Sequence, residues 1–469
     1  MTSVTEETVP ALAATAAAAA GLTQQKRVPI PSRGVDYRGK VVLAPMVRSG
    51  ELPSRLLSLH YGADLVWGPE TIDRAMIGTT RRINPRTGCV EWTRVPTNNV
   101  KKELYDESVI YRIDPIREAG RHIFQIGTSD PTRAVECAKL VAADVSGIDV
   151  NAGCPKPFST HAGMGAALLR TPDKLVSILE ALCAEIKPAF DIGISVKIRL
   201  LETPAETETL VRRLCATGIT GLTIHCRTTP MRPRERALRG QLRMIADVCH
   251  EYGVACVVNG DVENRDHAFE LMAEYGTDGA MIATCAEKNG SCFRAKADGG
   301  LAPWEEAVAK YVKFAMEVEN KFHNTKFMLT QMVPGKSPKY KELTPCKSYG
   351  KIVEVLGLTE ELGELAKKTD ELMKLVSVDG QQGSSSGNDK SKVEKKTTEE
   401  KKDDLTNQQQ ENLKRKREDG DEEAEKQQAP PPPSKKISIP AEVVEAVEAA
   451  VEQQQQQQQA EQPAAAAVA

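Results

Sequence analysis

From residue 41 to residue 283 the chain repeats one unit: a short apolar run, then a stretch with apolar residues at helical spacing. The runs are VVLA (41–44), DLVW (64–67), HIFQI (122–126), GIDVN (147–151), GISVKI (193–198), GLTIH (221–225), ACVVN (255–259) and GAMIA (279–283), eight in all. Amphipathic segments such as PTRAVECAKLVAA and DKLVSILEALCAEI separate most of them. Alternation of this kind builds parallel βα units, and eight of them suit an α/β fold closed as a (β/α)8 TIM barrel. A doubly wound open sheet is the alternative arrangement of the same units. Residues 71–120 exceed one crossover, and INPRTGCVEWTR within them reads as an inserted hairpin.

The strand signals stop at Trp304. EEAVAKYVKFAMEVENKF and the 350–378 region carry apolar residues at helical spacing, joined by the basic, Pro-broken segment GKSPKYKELTPCK. Beyond residue 378 come Ser-, Lys/Glu- and Pro-rich runs and seven consecutive glutamines, which cannot bury enough surface to offset their ordering entropy. The expected organisation is a disordered N-terminal arm (1–34), a catalytic barrel (35–302), a small helical domain (303–378) and a disordered C-terminal tail (379–469). Residues 380–469 hold 13 Lys or Arg against 18 Asp or Glu, and the rest of the chain 49 against 47. The part expected to fold is therefore nearly neutral, and any polyanion it binds is held by local patches.

The 11 cysteines include no CxxC pair and no Cys/His spacing suited to zinc, so no metal is expected. Most sit in strand or helix patterns as small buried hydrophobes, which points to a reducing compartment. The alanine-rich N-terminus has Glu6 and Glu7 before it and no arginine until Arg27, unlike a signal or transit peptide. No apolar stretch long enough to span a bilayer is present, so no membrane partner is expected.

In such a barrel the active site forms at the carboxyl ends of the strands. In chain order these ends hold Pro45-Met46-Val47, Glu70, Gln125, Asn151 with Cys154, Lys197 with Arg199, His225, Asn259-Gly260-Asp261 and Ala283-Thr284. Together they describe a flavin mononucleotide (FMN) site. Gln125 can bond the pyrimidine edge of the ring, and Lys197 can supply the cation that steadies its reduced, anionic form. Backbone amides at the last two strands can hold the phosphate. No GxGxxG with a downstream acid is present, so a nicotinamide would visit rather than reside.

LAPMVRSGELPSRLL, FQIGTSDPTRA, IDVNAGCPKPFSTHAGMGAALL, VKIRL, TIHCRT and VVNGDVENRDHA, in this order, resemble the tRNA-dihydrouridine synthase family. GCPKPFSTHAGMGAALL and TIHCRTTPMRPRERA are most similar to its eukaryotic branch acting on U20 of the D-loop. The resemblance covers about residues 38–360. It implies reduction of the uracil C5=C6 bond in tRNA, with transient NADPH reducing bound FMN, hydride passing to C6 and a cysteine matching Cys154 giving a proton to C5. A thiol, with a reference pKa of about 8.5, keeps its proton at neutral pH, as an acid should.

RNA recognition is expected from Asn151 and Arg199 at the mouth, from Arg232, Arg234, Arg236, Arg239 and Arg243 after the sixth strand, and from Lys336, Lys339, Lys341 and Lys347 in the helical domain. KRKRED and residues 434–436 suggest nuclear import factors as further partners, and a cytoplasmic or nuclear location. The chain departs from the family where His225-Cys226-Arg227 replaces His-Gly-Arg and where Thr284 replaces an arginine. Loss of that arginine would weaken FMN by roughly 10- to 150-fold if nothing compensates. Two other functions remain open at this point: a small-molecule pyrimidine flavoenzyme of the dihydroorotate dehydrogenase kind, and a flavin-free tRNA-binding protein.

Overall fold

A computed structural model describes residues 27–95, 107–232 and 234–375. The expected tail, both stretches of the import signal and most of the N-terminal arm lie outside the described residues. Among the described residues twelve strands are present: β1 (Lys40–Leu43), β2 (Leu65–Trp67), β3 (Thr71–Ile72), β4 (Thr80–Ile83), β5 (Val90–Arg94), β6 (Ser108–Ile113), β7 (His122–Gly127), β8 (Gly147–Ala152), β9 (Gly193–Arg199), β10 (Gly221–His225), β11 (Ala255–Asn259) and β12 (Gly279–Ile282).

All eight expected strands form, and they close. The parallel order runs β1-β2-β7-β8-β9-β10-β11-β12 and returns to β1, through pairings that include Val66 with His122 and Val41 with Ala280. Helices follow the strands, several of them started by the local chemistry of the connecting loop. Asp130 accepts a bond from Arg133 N and Pro131 opens the helix Pro131–Val141. Thr203 and Glu206 form a reciprocal capping box on Pro204–Cys215, and Asn264 caps Arg265–Tyr275.

Side-chain parity sorts the barrel. Even-numbered residues of the strands from β7 onward (Phe124, Ile148, Val150, Ile194, Val196, Ile198, Leu222, Ile224, Val258, Ala280, Ile282) join the core between strands and helices. Odd-numbered ones face the lumen, as successive side chains on a strand must alternate. The lower lumen is apolar, filled by Tyr37, Val42, Leu65, Trp67, Ile123, Ala255, Val257 and Met281. Glycines on β8, β10 and β12 make room for the Tyr37 segment there, since a Cβ at Gly221 would lie 2.4 Å from its ring.

Two expectations shift. Residues 27–34, assigned to the arm, are strapped across the barrel floor. Val28 N donates to Gly253 O (2.9 Å), and Arg33 donates to the carbonyls of Ala143 (2.7 Å) and Phe190 (2.9 Å). The inserted hairpin is a three-stranded antiparallel sheet, β4-β5-β6, whose third strand SVIYRI was not read from the sequence. After Cys154 the chain passes through a short 3-10 turn (Gly165–Arg170) before the long helix that starts at Pro172.

The helical region packs on the barrel through the helices Trp304–Glu317 and Leu52–His60, with Leu57 and Tyr61 inside its core. It continues through Phe322–Met332, Pro338–Leu343, Tyr349–Leu356 and Thr359–Leu372. The last two are separated at Gly357, which adopts a φ of 75° as a helix-ending residue.

Candidate active site

Polar lumen residues begin one layer above the apolar plug. Asp149, in the middle of β8, is fully buried and accepts bonds from Gln125 Nε2 (2.8 Å) and Ser195 Oγ (2.7 Å). Burial pushes its carboxyl up to about 6, against the opposing pull of those two bonds and of Lys197. Only an amide NH2 can face a carboxylate, so the Gln125 carbonyl oxygen is turned away from Asp149. Sequence reading named Gln125 and missed Asp149 and Ser195. The available signal was a carboxylate and a hydroxyl at lumen-facing positions inside otherwise apolar runs.

The next layers hold Lys197, His225, Asn259 and Arg199. Lys197 Nζ donates to Asn259 Oδ1 (3.0 Å), and Asn259 Nδ2 donates to Met281 O (2.9 Å), which fixes the amide. Burial, then the charge of Arg199, lowers the Lys197 ammonium to about 8. His225 is pushed down to about 2 by burial and by the cations Lys197, Arg199 and Arg227, so it is neutral at any working pH. Its Nε2 lies 3.2 Å from Arg227 Nη1.

Cys154 sits on a loop held from both sides. Asn151 Oδ1 accepts from Gly153 N (2.9 Å) and Cys154 N (3.0 Å). Arg199 donates to Gly153 O (2.7 Å) and Thr228 O (3.0 Å), joining this loop to the one after β10. Gly165, at φ 58°, passes so close that a Cβ would lie 2.5 Å from Cys154 O. Asn151 and Arg199, expected to face RNA, thus act first as braces for the Cys154 turn. The thiol is half-buried and in no disulfide, and burial followed by the neighbouring Glu70 carboxylate raises its pKa above the usual thiol value. Glu70, itself raised by burial, accepts from Ser159 Oγ (3.2 Å) and leaves Oε2 buried without a partner.

The β1 loop (Pro45 and Met46 half-buried, Val47 40% exposed) closes one side of the mouth. It is tightened by Gly50 N donating to Met46 O (2.7 Å), where a Cβ would not fit, and by the buried Arg55 guanidinium donating to Gly50 O (3.0 Å). On the other side Gly260 (φ 111°) and Asp261 (φ 50°) form a tight turn. The Asp261 carboxylate is occupied by Arg227 Nη2 (2.5 Å) and Ala237 N (2.7 Å) and the carbonyls of the turn by Arg239, so what the turn offers a ligand is its amide side. Ala283 is half-buried, and Thr284 is exposed at the start of the five-residue helix Thr284–Lys288.

Cys226 is fully buried in the wall core, since its even parity points it away from the lumen. Of the cations expected to meet RNA, Arg232, Arg234, Arg236 and Lys336 are exposed. Arg239 is spent partly on the carbonyls of Gly260 (3.0 Å) and Asp261 (3.1 Å), Arg243 on Glu274 O (2.5 Å) and Lys339 on Leu356 O (3.1 Å). Among the described residues no cluster of three or more His, Cys, Asp or Glu is placed to hold a metal, and no helix is long and apolar enough to cross a membrane.

Comparison with known proteins identifies the family of the chain. The family model described as dihydrouridine synthase (Dus) matches residues 42–344. The tRNA-dihydrouridine(20) synthase (NAD(P)+) of Schizosaccharomyces pombe is 47% identical over 341 residues, covering 72% of this chain and 66% of that protein. The protein of the same name from Saccharomyces cerevisiae is 44% identical over 327 residues, covering 69% of this chain and 84% of its own. Among solved structures, DHODH from Eimeria tenella in complex with ferulenol has a TM-score of 0.38 at 17% identity, over 62% of this chain and 90% of that one, too remote to inform the site.

Proposed function

Because this chain belongs to the dihydrouridine synthase family, we propose that it reduces the C5=C6 bond of a uridine in the tRNA D-loop, at position 20, to dihydrouridine. NADPH is the reductant, and FMN is the bound carrier. The observation that carries this reading is a protonated, half-buried thiol on a braced loop, which follows the strand paired with the one bearing the half-buried Lys197 ammonium. One gives up a proton; the other steadies negative charge.

The residues present fit FMN. Gln125 is oriented by Asp149 so that its carbonyl can accept from the N3–H of the ring, and Lys197 can donate to the N1–C2 edge. Neutral His225 adds no further charge. The turn at Gly260 would meet the phosphate with its backbone, and its φ of 111° together with the crowding of an added Cβ (3.2 Å from Ala237, 3.3 Å from His225) reserves the position for glycine. Pro45, Met46 and Val47 bound the opposite side. FMN held by these residues would supply hydride chemistry toward C6 of the uracil, with NADPH as its reductant.

The chain's own part is to deliver a proton to C5 and to keep water and wrong geometry out. The raised thiol pKa leaves Cys154 protonated until C5 becomes basic, and the transfer leaves a thiolate that solvent reprotonates. Hydride from NADPH, plus one proton, balances the saturation of one C=C bond. The exposed Arg232, Arg234, Arg236 and Lys336 offer phosphate contacts. The same reading places the protein in the cytoplasm, the nucleus or both, with import read from KRKRED.

Purified full-length protein should show flavin absorbance bands and convert uridine to dihydrouridine in an unmodified tRNA transcript supplied with NADPH. Absence of flavin bands even after soaking with FMN would sink the reading. Turnover of free pyrimidines with no action on tRNA would replace it with a small-molecule flavoenzyme.

A further inference from the structure

We propose that a cavity between the β1 loop and the helical region is a second nucleotide subsite, taking a base and adjoining phosphate of the RNA other than the uridine that is reduced. The inference rests on the tRNA reading above and extends it. The cavity measures about 340 Å³, within the usual size of small-ligand sites, and none of its lining residues is acidic. Arg48, His323, Lys326, Phe327, Tyr340 and Thr344 give it two permanent cations and two aromatic rings.

Arg48 is the part that looks built for a ligand. Its guanidinium lies 3.9 Å from the centre of the Phe327 ring, and among the described residues no hydrogen bond or ion pair engages it. Its backbone has φ 70°, a region that L residues other than glycine rarely adopt. A buried polar chain holds it there: Asn324 Nδ2 donates to Arg48 O (2.6 Å), Asn320 Nδ2 to Asn324 Oδ1 (3.0 Å) and Tyr349 Oη to Asn320 O (2.9 Å). Strain maintained by so many fixed partners is a mark of binding sites. Lys326 is fixed as well, donating to Thr344 O (2.8 Å).

An arginine laid on an aromatic ring offers a flat face to a base and edge donors to a phosphate. The cavity also adjoins the active mouth in sequence, because Arg48 follows Pro45, Met46 and Val47 directly. RNA with one uridine in the barrel mouth is thereby placed to lay a neighbouring nucleotide against the helical region. The adenosine half of NADPH presents the same chemistry, so the test must separate the two sources.

The test is the affinity of the full-length protein for an unmodified tRNA transcript, with Phe327→Leu and Phe327→Trp compared at fixed salt and equal melting temperature. Leucine keeps apolar volume and removes the ring; tryptophan keeps a ring. Phe327→Leu is expected to weaken tRNA binding by about 5- to 150-fold, the range for losing one stacked base, and Phe327→Trp to stay within about threefold of the parent. Equal tRNA affinity for parent and Phe327→Leu overturns the subsite while leaving the uridine-reductase reading intact. A rise in the KM for NADPH in flavin reduction, with tRNA affinity unmoved, assigns the cavity to the dinucleotide and also overturns it. A parent protein that binds no tRNA fails the reading of function itself.

Discussion

The two sides of the barrel mouth are made differently. From β7 to β9 the working groups are side chains held by other side chains: Gln125 by Asp149, Asp149 by Ser195, and the Cys154 turn by Asn151 and Arg199. From β11 to β12 the groups left for a ligand are backbone, at Gly260 and at the start of the Thr284 helix, with Asp261 already engaged. A site made of side chains changes its chemistry with one substitution. A site made of peptide groups keeps its function while the side chains around it vary, provided the turn is preserved. On the proposed function, that difference accounts for Thr284 standing where the sequence analysis expects an arginine, and it sets the order of effects expected on the two sides.

The largest effect belongs to Cys154. Cys154→Ala should retain FMN and its bleaching by NADPH, while dihydrouridine formation falls by about 10²- to 10⁴-fold, the span of a lost general acid. Parent-like dihydrouridine yield, read by mass spectrometry of digested tRNA, would remove the thiol from the mechanism. The pH dependence has a definite sign. An acid works only while protonated, and burial with Glu70 raises this thiol above its usual range. Uracil reduction should therefore hold through neutral pH and decline only as pH rises through that raised value.

Next comes Lys197→Met, which on the proposed function removes a charge-assisted bond to the flavin ring. FMN affinity is expected to fall by roughly 10- to 150-fold at pH 7, measured by flavin fluorescence. The ammonium, lowered to about 8, carries its charge below that pH and loses it above. The ratio of parent to variant affinity should therefore be full near pH 7 and shrink toward one as pH rises past about 8. A ratio constant from pH 7 to 9.5 would show that the charge is not what Lys197 contributes. It would also weaken the contrast between the two sides.

The same contrast explains what could be seen in the sequence. Gln125, Lys197 and His225 were visible because each is the last or next-to-last residue of its apolar run, where a barrel strand meets the site. Asp149 and Ser195 were missed because they lie inside their runs, where only lumen-or-wall parity separates a function from a flaw. Cys226 looked like a departure near the flavin, yet its even parity sends it into the wall, where a small apolar side chain is welcome. Arg48 was invisible for another reason. Its conformation depends on Asn324, 276 residues away, and no local pattern encodes that meeting. The third strand of the inserted sheet was likewise hidden, because its antiparallel pairing with β5 is made across a long intervening segment.

Thr284→Arg is the smallest effect, and it probes the backbone-built side directly. From sequence alone the missing arginine could cost roughly 10- to 150-fold in FMN affinity, the worth of a well-formed charge-assisted bond. The structure argues for less. Residue 284 is exposed at the first position of a five-residue helix, where solvent screens an added charge, and exposed ion pairs are worth at most about 1 kcal/mol. Restoring arginine should therefore tighten FMN by no more than about fivefold in a titration at physiological salt, with the gain shrinking as salt is raised. Tightening of about tenfold or more would mean that the peptide groups at Gly260 and Thr284 do not suffice. The phosphate side would then depend on side chains as the Cys154 side does, and this chain would be holding its cofactor with one of them missing.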